Sequence, residues 1–240
     1  MGCKPTRFWE ARGYGFHKEH SINAYDLALR AAGICQQNIL TVSSIPPAEQ
    51  ITPIVKKGMT YVPFPNKPWV LFPNIEYHKT KKIKETDYLV LDRSWVIDCV
   101  QARSDGVAGD RITSSIGIIW VDDPDGLLGA YVVENHGHKT IESSVDCCIE
   151  MLRHMVKCRD EIAFEIEDRE PKFTTESIHL CNARNILSKG TRELTVDKII
   201  GEWFKPRMKI YTISVNEIPE GLLGCVLATV VFDPFTEIHS

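Results

Sequence analysis

The stretch Asn38-Ile39-Leu40-Thr41-Val42-Ser43-Ser44-Ile45-Pro46-Pro47 runs from strand formers into a Ser-Ser pair and then into two prolines. Proline has no N–H to give a ladder, so a strand over 38–43 must stop there. Pro46 also pushes Ile45 to extended geometry, which predicts a chain reversal just after the serines. A backbone can break itself at such a place. The serine hydroxyl attacks the preceding carbonyl, the resulting ester loses its acyl part by β-elimination, and the dehydroalanine left behind hydrolyses to a pyruvoyl group. This needs a strained serine peptide and a polar group for the oxyanion. A plain serine-rich turn has the same composition. The dipeptide alone decides nothing, because Ser-Ser recurs at 114/115 and 143/144. Only the pair at 43/44 combines a strand end with following prolines; 114/115 falls mid-strand and 143/144 in a helix turn.

Working outward, residues 6–11 predict a strand that Gly13 and Gly15 break. Ala24, Leu27, Ala28 and Ala31 recur at helical spacing over 23–32, with Ser21 or Asn23 as the start and Gly33 as the stop. Residues 51–64 read as extended. The prolines at 65, 68 and 73 and the basic run 79–84 predict an insertion over 65–105, with a short helix or strand near 88–100. The basic run itself reads as a solvated face. Residues 112–121 and 127–133 read as a hairpin around Asp122-Asp123-Pro124-Asp125-Gly126. Residues 140–159 predict the longest helix, its apolar stripe being Val145, Ile149, Leu152 and Val156, with Glu142 in the first turn and Lys157 and Arg159 in the last. Residues 160–206 read as a second insertion, and 209–215 and 224–232 as closing strands. Strands outnumber helices, so the class is α+β with layered sheets.

The chain has 240 residues, enough for one domain with a sizeable core. Its 43% apolar and 25% charged content is that of a globular protein, and no apolar run approaches the roughly 18 residues of a membrane span. The first 12 residues lack a secretory signal region, so a cytoplasmic location is expected. A net charge of −4 argues against a nucleic-acid surface. Eight cysteines without a CxxC pair read as reduced thiols rather than metal ligands. His136 and His138 flank Gly137 without a third ligand, so no metal is expected. Gly13 and Gly15 make no phosphate loop, and Trp203 and Phe204 read as packing residues. The start Met1-Gly2-Cys3-Lys4-Pro5-Thr6 fits an N-myristoylation pattern on Gly2, with Cys3 as a second lipid position, although coincidence is the favoured reading of so short a pattern.

Ile22-Asn23-Ala24-Tyr25-Asp26, Ala32-Gly33-Ile34, Asn38-Ile39 and Val42-Ser43-Ser44-Ile45-Pro46-Pro47 together resemble the front half of pyruvoyl-dependent arginine decarboxylases. Pieces at 109–119, 129–137, 140–159 and Gly224-Cys225 follow in family order. The resemblance implies an αββα sandwich as a single domain over 1–240, carrying the two insertions. It implies trimers or larger homo-oligomers with active sites between subunits. It also implies cleavage between Ser43 and Ser44, with Ser44 becoming the covalent pyruvoyl cofactor and Ser43 the new carboxyl terminus. By the same resemblance, Asn38 lies near the cleavage and reaction centre, Asp26 binds the substrate guanidinium, Ile22 lines the pocket, and Glu134 supplies a proton. Cys35 stands where relatives often have glycine, and the match at Glu134 needs a one-residue shift.

The implied reaction is coherent. An amino-acid amine adds to the Ser44-derived ketone as a Schiff base, CO2 leaves, and the adjacent amide carbonyl absorbs the electrons. Arginine would give agmatine, a polyamine precursor; histidine or a modified arginine is an alternative substrate, and an unprocessed assembly or regulatory homologue an alternative role. A carboxylic acid can protonate the carbanion only if burial raises its pKa. Glu134, ending Tyr131-Val132-Val133, suits that role, but an exposed strand-end glutamate reads the same way. Asp26 can pair bidentately with guanidinium, or act as a first-turn carboxylate opposing the helix dipole.

Overall fold

In the computed structural model the described residues are 7–35, 37–42, 44–47, 49–50, 54–56, 59–63, 88–90, 96–122, 128–160, 171–179, 194–203 and 207–232. Among these residues the chain is α+β, mostly sheet with two helices. One five-stranded sheet contains β1 (Arg7–His17), β2 (Asn38–Thr41), β3 (Glu49–Gln50), β7 (Val96–Val107) and β13 (Leu223–Phe232), in the order β2-β7-β13-β1-β3. The other contains β8 (Ile112–Asp122), β9 (Leu128–Gly137), β10 (Lys172–His179), β11 (Thr195–Trp203) and β12 (Met208–Val215), in the order β10-β11-β12-β8-β9. Strands β4 (Ile54–Lys56), β5 (Met59–Pro63) and β6 (Tyr88–Val90) form a small third sheet.

Three apolar clusters hold the layers. Phe8, Phe16, Val100, Ile118, Val132 and Val226 belong to the cluster shared by the two large sheets. Trp9, Ile97 and Leu227 point from the first sheet to Ala24, Ala28 and Ala32 of α1 (Ser21–Ala32). Ile119, Val133 and Met208 point from the second sheet to Val145, Leu152 and Val156 of α2 (Ile141–Asp160). Complete burial of a side chain such as Leu152 contributes about 1.5–3 kcal/mol. The apolar stripe read from 140–159 is therefore the contact face of α2, with Ile149 at its partly buried margin.

Strand β1 corrects the sequence reading. It runs through Gly13 and Gly15 without a break, paired to β13 from Phe8↔Phe232 to His17↔Leu223. The glycines serve helix packing instead. A Cβ on Gly13 would stand 1.9 Å from the Ala28 carbonyl oxygen, and one on Gly15 2.1 Å from that of Ala24. Glycine on the strand and alanine on the helix let the two backbones approach. The start of α1 also differs from expectation: His20 occupies the N-cap position without a side-chain cap bond, so neither Ser21 nor Asn23 caps it. The stop is as expected. Gly33 is left-handed (φ 83°), and the N–H groups of Gly33 and Ile34 bond to the carbonyls of Arg30 and Leu29.

The span 65–105 does not lie wholly outside the main sheets. Its last ten residues belong to β7, which pairs with β13 from Cys99↔Val231 to Val107↔Leu223. The span 160–206 supplies β10 and β11, which extend the second sheet beyond β12. Residues 65–87, 91–95, 161–170, 180–193 and 204–206 of these spans, Phe204 included, lie outside the described residues.

Candidate active site

Strand β2 lies parallel to the start of β7, from Asn38↔Val96 to Thr41↔Cys99. One more bond, from the Val42 N–H to the Cys99 carbonyl at 2.9 Å, carries the chain to the serine pair. Ser43 and the N-terminal residues Gly2 and Cys3 lie outside the described residues. Beyond Ser43 the chain crosses to the other sheet: the Val132 N–H of edge strand β9 donates to the Ser44 carbonyl at 2.9 Å. Ser44 is half-buried, Ile45 exposed and Pro46 buried. The segment thus joins the β2–β7 edge of one sheet to the β9 edge of the other, and the prolines sit where it leaves the ladder.

Glu134 follows Val132 by two residues on β9, so both side chains leave the same face of the strand. Its carboxylate reaches solvent. Enough protein nevertheless surrounds it for burial to raise its pKa, with His136 pulling the other way. The same carboxylate acts on β7: burial pushes the Cys99 thiol up to about 11, Thr229 opposes this, and Asp98 and Glu134 add to the rise. Ser44 and Glu134 thus both flank this crossover: Val132, two residues before Glu134, bonds to the Ser44 carbonyl, and Cys99, whose thiol feels the Glu134 charge, accepts from Val42. This juxtaposition comes from contacts between strands far apart in sequence.

The remaining candidates lie farther along the fold. Asn38 is exposed at the opposite end of β2 from Ser44. Ile22 and Asp26, one helical turn apart, are exposed on α1, which packs on β1 and β13. No acidic residue stands in the first turn of α1, so Asp26 is not a first-turn carboxylate. Its neighbour Tyr25 is anchored to β7, exchanging hydrogen bonds with Gln101 at 3.0–3.3 Å beneath the Arg103 guanidinium, 4.0 Å from the ring centroid. Arg103 is held in turn by Asp105 at 2.7 Å. Sequence reading missed Gln101 and Arg103 because both lie inside the span read as an insertion.

Among the described residues, no group of three or more His, Cys, Asp or Glu side chains could hold a metal ion, and no helix is long and apolar enough to cross a membrane. The cysteines at 99, 147, 148, 158 and 225 form no disulfide. Trp203 is buried against α2, as a packing residue.

Comparison with known proteins gives two findings. The family described as pyruvoyl-dependent arginine decarboxylase matches residues 7–60 and 79–237. The chain is also 30% identical, over 165 residues, to "Pyruvoyl-dependent arginine decarboxylase 1" of Archaeoglobus fulgidus, an alignment covering 68% of this chain and 82% of that protein.

Proposed function

Because the chain belongs to the pyruvoyl-dependent arginine decarboxylase family, we propose that it cleaves itself between Ser43 and Ser44 and decarboxylates arginine at the group formed from Ser44. The observation that carries this reading is the bond from Val132 to the Ser44 carbonyl, two residues from Glu134. It supports a serine anchored on its C-terminal side at a chain crossover, with an acid of raised pKa close by.

The pyruvoyl group supplies a ketone that takes up the substrate amine and accepts the electrons released with CO2. The surroundings of Ser44 fit such a group, since the carbonyl next to it already has a donor in the Val132 N–H. Glu134 holds a proton for delivery to the substrate carbon, and burial favours that protonated form. Asp26 binds the guanidinium, Ile22 covers the aliphatic stem, and Asn38 orders the reaction centre.

We take the layers held by the three clusters as the αββα sandwich of one domain. We also propose that subunits assemble as a trimer or larger ring with the site between them. Three apolar side chains support this: Ile22, Leu40 and Ile45 are 56%, 54% and 55% exposed in the single chain, and Leu40 and Ile45 bracket Ser44 in sequence. The thiols of Cys99, Cys147, Cys148, Cys158 and Cys225, none in a disulfide, favour a reducing, cytoplasmic setting.

Substrate identity is tested by competition among arginine, lysine, histidine and citrulline on the parent and on Asp26→Asn. The asparagine keeps the shape and removes the charge, at a cost of about 2–5 kcal/mol for a buried guanidinium. The expected result is a higher KM for arginine with a smaller change for citrulline. Parent enzyme that prefers histidine, or a variant with unchanged discrimination, rules out the arginine assignment.

A further inference from the structure

Of the two Ser-Ser pairs not used by the chemistry, Ser143 is exposed and the other three serines lie in the folded core. Ser114, Ser115 and Ser144 are all fully buried. The register sets Asn135 of β9 opposite Ser115 of β8, and Ser115 opposite Thr212 of β12, in one row across the second sheet. Ser144 of α2 descends onto that row. Its hydroxyl stands 2.8 Å from the Ser115 hydroxyl and donates to Asn135 Oδ1 at 3.0 Å; Ser115 stands 2.9 Å from the Thr212 hydroxyl. Each hydroxyl has one proton to give. Since Ser144 gives its proton to Asn135, Ser115 donates to Ser144, and Thr212 to Ser115. The row is thus a directed chain of bonds ending on Asn135.

Asn135 is held by more than this chain. Its Oδ1 also accepts from Lys139 Nζ at 3.3 Å, and its Nδ2 donates to Cys147 Sγ at 2.9 Å. The amide is almost completely buried, so each of these bonds is costly to lose. Successive side chains on a strand point to opposite faces, so fixing Asn135 toward α2 fixes Glu134 and His136 to the other face. This matters because, among the described residues, β9 is an edge strand with β8 as its one neighbour in the sheet.

We infer that Asn135, locked by Ser144, Ser115 and Thr212, is a positioning residue that holds Glu134 for proton delivery; this rests on Glu134 being the proton donor. Asn135→Ala should still cleave at Ser43–Ser44 and keep the KM for arginine within about twofold, while kcat falls about tenfold or more, as expected when a reacting group is displaced by a fraction of an ångström. A purely structural role predicts lower stability without that kcat–KM split.

The deciding experiment compares four cleaved proteins: the parent, Asn135→Ala, Glu134→Gln and the double variant. If Asn135 acts through Glu134, its substitution slows the parent but changes kcat less than twofold in the Glu134→Gln background. An equal loss in both backgrounds overturns the positioning role and leaves Glu134 as donor. If Glu134→Gln turns over at the parent rate, the proton-donor reading falls and this inference with it. Should Asn135→Ala not fold, Ser144→Ala takes its place under the same criteria, with Ser144→Thr expected to recover the kcat that Ser144→Ala loses.

Discussion

Ser44→Ala is expected to give one uncut chain with no decarboxylation above background. The hydroxyl is the group proposed both to open the peptide and to become the ketone, so its removal stops both events. The contact that seats this segment is made by the Ser44 backbone, through the Val132 N–H, and alanine retains it. Ser44 is half-buried rather than part of an apolar cluster, so the variant should fold. Folding measured by circular dichroism, chain number on a denaturing gel and CO2 release from labelled arginine separate these effects. A folded variant that still splits at 43/44, or that still releases CO2, rules out Ser44 as the source of the reactive group.

Glu134→Gln has the second-largest expected effect: cleavage largely intact, and kcat lowered roughly 10²–10⁴-fold, the usual contribution of a general acid. Glutamine keeps size and polarity but has no carboxylic proton to give. The pH dependence has a definite sign. Partial burial raises the Glu134 pKa, so the acid stays protonated to higher pH than a fully solvated glutamate would. In the parent, kcat falls as pH rises through that value; in the variant, this limb is absent. Steady-state kinetics across the pH range on fully cleaved protein measures both. A variant with the parent's kcat and alkaline limb assigns the proton to another residue.

Much of the fold is legible from local pattern. The β8–β9 hairpin, α2 and the last two strands follow from alternation and from the 145/149/152/156 stripe. Strand β1 is legible only over its first part, because Gly13 and Gly15 look like breakers until the Ala24–Ala28 backbone is seen against them. Strand β7 is hidden for a different reason. It follows a proline-rich, basic stretch, and it carries Gln101, Arg103 and Asp105 on the face that meets Tyr25, so it lacks a simple apolar alternation.

The candidate site divides in the same way. Ser44 is visible from its strand end and prolines. Its neighbour on β9 is not, because the Ser44–Val132 bond joins edges of two different sheets. Glu134 is an ambiguous strand-end residue in sequence and gains meaning only from that contact. Asn135, Ser115 and Ser144 give no sequence signal, since a buried hydroxyl and an exposed one are spelled the same way.

Intact mass of the purified parent protein, under denaturing conditions, tests self-processing most directly. Two chains are expected, residues 1–43 and 44–240, the longer beginning with a blocked group that reacts with carbonyl reagents. A single uncut chain that still converts arginine to its amine would contradict the account.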